Sequence, residues 1–225
     1  MSENIIDILL DNDNKLSSFF EDCRKCEKNQ KVHDFLLSLA QVPIIDIVKR
    51  IIINPNKIRE LDSSDVVQFS NFDHSSLKLC EHLKYSGNKG YTFEEIGAYL
   101  LDRNRSKVAL VKYGENQSKT AHVMGLAYVM ESSPRRVYIS YIGSELLNFK
   151  EDFRKRILYR LLLRMKIVQY IFSKAIQGKV NLKEEMSFLS KSTFYRRLPN
   201  VKKILNHIKD HAETNLDFIF SDIEY

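Results

Sequence analysis

Seven glycines and four prolines are all that punctuate this chain of 225 residues, and tryptophan is absent. Sandwiches and barrels need a turn signal every few residues, so this scarcity steers the chain towards helix. The breakers that do occur fall between apolar segments, as at Gln41-Val-Pro43, Asn54-Pro55-Asn56, Gly87-Asn-Lys-Gly90 and Gln177-Gly178. With 44% hydrophobic and 28% charged residues, the chain can bury a core of one or two domains.

Periodicity then places the elements. Ile5–Leu10 and Leu16–Phe20 read as short helices, Lys31–Leu39 as another, and Ile44–Ile53 as a fourth with helical apolar spacing. The polar, turn-rich Leu61–Phe72 reads as a linker. Beyond it, Ser75–Tyr85 predicts a helix, and Thr92-Phe-Glu-Glu95 matches a capping box opening the next. A helical zone over Lys107–Val111 is expected to break at Tyr113-Gly114, with a separate helix over Glu115–Met124. Leu126–Met130 and Arg136–Ser140 flank Glu131-Ser-Ser-Pro-Arg135 as a β-hairpin, and Ser140-Tyr-Ile-Gly143 restarts helix. Glu151–Ala175 reads as one long buried helix. Val180–Phe188 and Leu189–Ile208 come next as a helix-turn-helix capped by Ser190 or Ser192, with a restart expected at Pro199.

Over Ser75–Asn148 the order of helix, capped helix, basic helix, hairpin and Ser-x-x-Gly helix start resembles a winged helix-turn-helix domain. The phrases Lys112-Tyr-Gly-Glu-Asn116 with Lys119, and Ser192-Thr-Phe-Tyr-Arg-Arg-Leu-Pro-Asn-Val-Lys-Lys203, are similar to an uncharacterised helical module. That module occurs beside or fused to restriction endonucleases and other bacterial defence proteins. The resemblance implies a regulator or target-recognition subunit of a defence or restriction system, with a nuclease or similar protein as partner.

Charge sharpens the expectation. The net charge is +6, and the residues are unevenly placed. The N-terminal segment is acidic, whereas from Arg135 to Lys203 only Glu145, Glu151, Asp152, Glu184 and Glu185 oppose a run of Lys and Arg. Such a patch suits a polyanion. On the helix expected to read the major groove, Lys112, Asn116, Gln117, Lys119 and Thr120 are the candidate contacts, since Asn and Gln can pair with adenine and Lys with guanine or phosphate. Arg135 and Arg136 sit at the wing. In the second unit the candidates are Lys191, Ser192, Thr193, Tyr195, Arg196 and Arg197, with Lys202 and Lys203 on phosphates.

Other chemistry finds less support. Cys23-x-x-Cys26 and His207-x-x-x-His211 have ligand spacing but lie at opposite ends of the chain, so no metal site and no cofactor are expected. The one Asp-x-Lys, Asp13-Asn-Lys15, has no strand pattern around it, and phosphate loops and nucleophile elbows are missing. No secretory leader is recognisable, and Arg160, Arg164 and Lys166 interrupt the most apolar stretch, so a cytoplasmic protein without a membrane span is expected.

The expected architecture is mainly α. An N-terminal helical region (1–72) serves as a dimer or partner surface, followed by a winged helix-turn-helix (73–149) and a second helix-turn-helix unit (150–225). The expected function is sequence-specific binding of double-stranded DNA by a homodimer. Its rivals are a divergent DNA-cleaving enzyme or effector and a protein-interaction adaptor.

Overall fold

Short polar residues at helix starts set where many of the elements begin. The computed structural model describes residues 2–10, 30–53, 61–68, 71–101, 104–212 and 215–225. The expected helix Leu16–Phe20, the stop at Asn54–Asn56, the tripeptide Asp13–Lys15 and the Cys23/Cys26 pair lie outside the described residues. The chain divides into two compact units, one of Asp13–Leu37 with Phe69–Lys155 and one of Met1–Asn12, Ser38–Gln68 and Arg156–Tyr225. These cut across the expected boundaries at 72 and 149, and the region 1–72 is not a unit of its own. The fold is mainly helical, with a small three-stranded antiparallel sheet. Among the described residues, no helix is long and apolar enough to cross a membrane.

In order along the chain, the first helices are α1 (Ser2–Leu10), α2 (Gln30–Gln41), α3 (Ile44–Ile53) and α4 (Leu77–Leu83). In the unit containing residues 69–155, α4 buries Leu79, Cys80 and Leu83. Burial pushes the Cys80 thiol up to about 12, which makes it a packing residue rather than a reactive one. A single 3-10 turn at Gly87–Lys89 leads into β1 (Tyr91–Thr92). Thr92 then caps α5 (Phe93–Leu100). Its Oγ1 accepts from the Glu95 amide at 3.3 Å, and Glu95 Oε2 accepts from the Thr92 amide at 2.7 Å, so the expected capping box is present.

Ser106 caps α6 (Lys107–Val123), which runs unbroken through Gly114. The expected break there is wrong for a packing reason. A Cβ at Gly114 would collide with the carbonyl oxygen of Phe93, and one at Gly97 with that of Leu110. The two glycines let α5 and α6 approach backbone to backbone, and neither is there to stop a helix.

Strands β2 (Ala127–Met130) and β3 (Arg136–Ile139) form the expected hairpin, with Val129 opposite Val137. β3 also pairs with β1, Thr92 opposite Arg136, giving the order β1-β3-β2. Ser140 then opens α7 (Tyr141–Leu146). It is fully buried, donates to the Gly125 carbonyl at 2.6 Å and accepts from the Gly143 amide at 2.9 Å. Ser140→Ala strands both groups in the core. We expect it to lower stability by about 2 kcal/mol, combining a lost cap with unsatisfied buried partners, measured as a fall in urea midpoint at constant slope.

The other unit is built around α3 and α9 (Lys166–Ala175). Ile44, Ile47, Val48 and Ile51 are buried on α3, and Ile167, Val168, Ile171 and Phe172 on α9. Arg50 of α3 holds Asp7 of α1 through two hydrogen bonds of 2.8 and 2.9 Å. The expected long helix Glu151–Ala175 is two helices, α8 (Glu151–Leu162) and α9. The chain turns extended at Met165 (ψ 123°). Gln169 reaches back to the Leu163 and Arg164 carbonyls (3.0 and 3.3 Å), taking over acceptors that a continuous helix would have satisfied with amides. The buried Arg160 guanidinium likewise donates to the Val42 carbonyl at 2.6 Å.

After α9 come β4 (Val180–Asn181), the short α10 (Leu182–Glu185), α11 (Lys191–Asp210), α12 (Asp217–Phe220) and β5 (Ile223–Glu224), which lies parallel to β4. α11 does not restart at Pro199 but continues through it. Pro199 removes the amide that would bond the Tyr195 carbonyl. Both residues are solvent-exposed, so water can replace the missing donor.

Candidate nucleic-acid interface

α11 is amphipathic in a way that separates anchoring from display. Leu198, Asn200, Val201, Ile204, Leu205 and Ile208 are buried. Lys191, Ser192, Tyr195, Arg196 and Lys203 are exposed, and Thr193, Arg197 and Lys202 are half-buried. From Lys191 to Lys209 the helix carries no Asp or Glu. Among the described residues, no carboxylate is paired with Lys191, Arg196 or Lys203. Arg196 Nε donates only to the Ser192 carbonyl one turn back, at 3.1 Å, which holds the guanidinium along the helix surface. At the N-cap, Ser190 Oγ donates to Thr193 Oγ1 at 2.9 Å, and its side chain bonds none of the first-turn amides.

The remaining α11 candidates do structural work. Arg197 donates to the Ser63 carbonyl, fastening the 61–68 segment to the helix. Burial, then the neighbouring Arg196 charge, lowers its pKa. Lys202 lies over the Tyr225 ring, 5.6 Å from its centre.

On α6 the structure divides the five candidates. Gln117 and Thr120 are fully buried, on the side that also carries Leu110, Gly114 and Ala121. The structure moves both from the expected surface into the core: their polarity in the sequence hid a helix face that packs on α5. The Thr120 hydroxyl donates to the Asn116 carbonyl at 3.0 Å. Asn116 is half-buried, while Lys112 and Lys119 are exposed. Both lysines bond Glu115, at 2.8 and 2.7 Å. Burial pushes the Glu115 carboxyl up, but the two lysine hydrogen bonds outweigh it and the net shift is downward.

At the hairpin, exposed Arg135 pairs with Glu131 at 2.8 Å. Arg136 turns away from the tip and donates to the Lys89 and Gly90 carbonyls (3.2 and 3.1 Å), tying β3 to the turn before β1.

Sequence reasoning places helix over Lys107–Val111 but no candidate contact in this first turn of α6. Val108 there is 79% exposed and Ala109 is exposed beside it. Lys107 pairs with Glu94 of α5 at 2.9 Å. The Ser106 cap was the available signal, hidden by the expectation of a break further on. His207 and His211 lie near one another, with Tyr159 stacked on His211 at 3.8 Å. His211 Nδ1 is 3.0 Å from the His207 carbonyl oxygen, and burial, then His211, lowers the His207 pKa. Among the described residues, no three His, Cys, Asp or Glu side chains are grouped to hold a metal ion.

Compared with protein-family models, with curated proteins and with solved structures, the chain matches none of them.

Proposed function

We propose that this chain binds duplex DNA through two helix-turn-helix units, the first winged, with α11 supplying a main contact surface. The observation that carries the reading is the exposed pair Arg196 and Lys203, two turns apart on one line of a helix that begins at exposed Lys191 and has no carboxylate from Lys191 to Lys209. A cationic helix face that no acid among the described residues neutralises is a site for a polyanion, and its Arg and hydroxyl groups can both hold phosphates and reach base edges. The order α4-β1-α5-α6-β2-β3, with β1 paired to β3, supports the winged reading of the other unit. The similarity of Lys112–Lys119 and Ser192–Lys203 to a module associated with restriction systems supports a role as regulator or target-reading subunit in defence.

The test is fluorescence anisotropy with a random-sequence duplex across a salt series. Binding is expected at low salt, with log affinity falling linearly as log salt rises. Absence of binding at low salt, or affinity indifferent to salt, sinks the proposal. Glu115 gives a second handle, because it neutralises both exposed lysines of α6. Glu115→Gln removes its single negative charge, so DNA affinity should rise and the salt dependence should steepen by about 0.9 in slope, the contribution of one net cation. An unchanged slope would remove α6 from the contact surface.

A further inference from the structure

One stretch of each unit follows the same order of elements. The stretch from Tyr91 to Leu100 and that from Val180 to Leu189 each run from a two-residue strand, through an N-cap (Thr92 or Asn181), into a short helix. In both, a large aromatic is exposed one residue before the closing buried leucine: Tyr99 at 49% before Leu100, and Phe188 at 43% before Leu189. After this the first stretch has five more residues before its cap, 101 to 105, and the register then resumes. Ser106 and Ser190 are the N-caps of the long helices α6 and α11, and each is followed by lysine.

Counted from those caps, five positions are buried in both helices, while Leu110, Ser118 and Asn200 are buried in one only. Gly114, Gln117, Thr120, Ala121 and Met124 correspond to Leu198, Val201, Ile204, Leu205 and Ile208, all buried. Exposed cations also coincide: Lys107 with Lys191, Lys112 with Arg196, Lys119 with Lys203. In each helix the second and third of these cations stack two turns apart, and the first stands at the helix start on another side. Beside them the first-turn pair differs, Val108-Ala109 in one helix and Ser192-Thr193 in the other. The acid Glu115 stands where the other helix has Pro199.

Resting on the DNA reading above, we infer that α6 and α11 are duplicated reading helices with different first-turn side chains. One chain therefore recognises a DNA site made of two unlike elements, and needs no second copy to do so. The cations of α11 are open to phosphates, whereas those of α6 must exchange Glu94 or Glu115 for them. The first-turn pair faces the bases. Val108 and Ala109 offer methyl groups that suit a thymine methyl, whereas Ser192 and Thr193 offer hydroxyl donors and acceptors. An acidic protein partner would meet the same cations, but would not make the readout follow those four side chains.

The experiment selects from a pool of duplexes with a randomised centre, retained by the full-length chain, and compares it with two swap variants. Val108→Ser with Ala109→Thr gives α6 the first turn of α11; Ser192→Val with Thr193→Ala does the reverse. These are exposed or half-exposed positions, and circular dichroism verifies folding. The expected result is a non-palindromic consensus of two elements, each swap changing the preferred bases of one element and sparing the other. A single or palindromic element, both swaps altering the same bases, or an α6 swap without effect would each overturn the inference while leaving DNA binding intact. No retention of any duplex at low salt would overturn the DNA reading itself and the inference with it.

Discussion

Arg196→Ala combined with Lys203→Ala should weaken binding to random duplex by roughly 30-fold at low salt, at about 1 kcal/mol for each phosphate contact removed. The slope of log affinity against log salt should also become shallower by about 1.8, twice the contribution of one neutralised phosphate. Thermal stability should hardly move, because both side chains face solvent on α11 and neither joins an ion pair among the described residues. Arg197→Ala is the informative contrast. It leaves the exposed stripe intact but removes the donor to the Ser63 carbonyl, so it should lower stability and change the salt slope little. Equal slopes for wild type and the double variant, or a larger slope change from Arg197→Ala, would place the polyanion surface elsewhere.

That contrast marks the limit of what sequence showed. Adjacent arginines look alike in a string, yet helical geometry sends Arg196 to solvent and turns Arg197 onto the backbone of another segment. Arg136 was equally opaque, since only the pairing of β1 with β3 brings the Lys89 and Gly90 carbonyls within its reach. Strong local signals were legible. The apolar spacing of Ile44–Ile53 matches α3 residue for residue, and the Thr92 capping box and the Ser140 helix start are where short-range rules put them. β1 escaped notice because two residues show no period. The break at Leu163–Met165 was invisible because both residues are buried, which continued the apolar run across it.

Gly114→Ala should be among the most destabilising single substitutions in the chain, although alanine is the better helix former by about 1 kcal/mol. The added methyl group would be driven into the carbonyl oxygen of Phe93, with the Gly97 amide just behind it. Both are backbone atoms of the α5 start and interior, so no side chain can rotate away, and α5 itself must shift against α6. Overpacking of this kind costs typically about 1–3 kcal/mol; the rigidity of the obstacle puts this case at the upper end. Gly97→Ala should behave alike, because its methyl group meets the Leu110 carbonyl from the opposite side of the same contact. Val108→Ala, at an exposed position in the first turn of the same helix, fills no space and serves as the control for helix propensity. Urea unfolding of the three variants checks this. A glycine variant as stable as the control would mean that α5 and α6 do not pack backbone to backbone, and Gly114 would return to being a helix breaker, as its place in the sequence suggests.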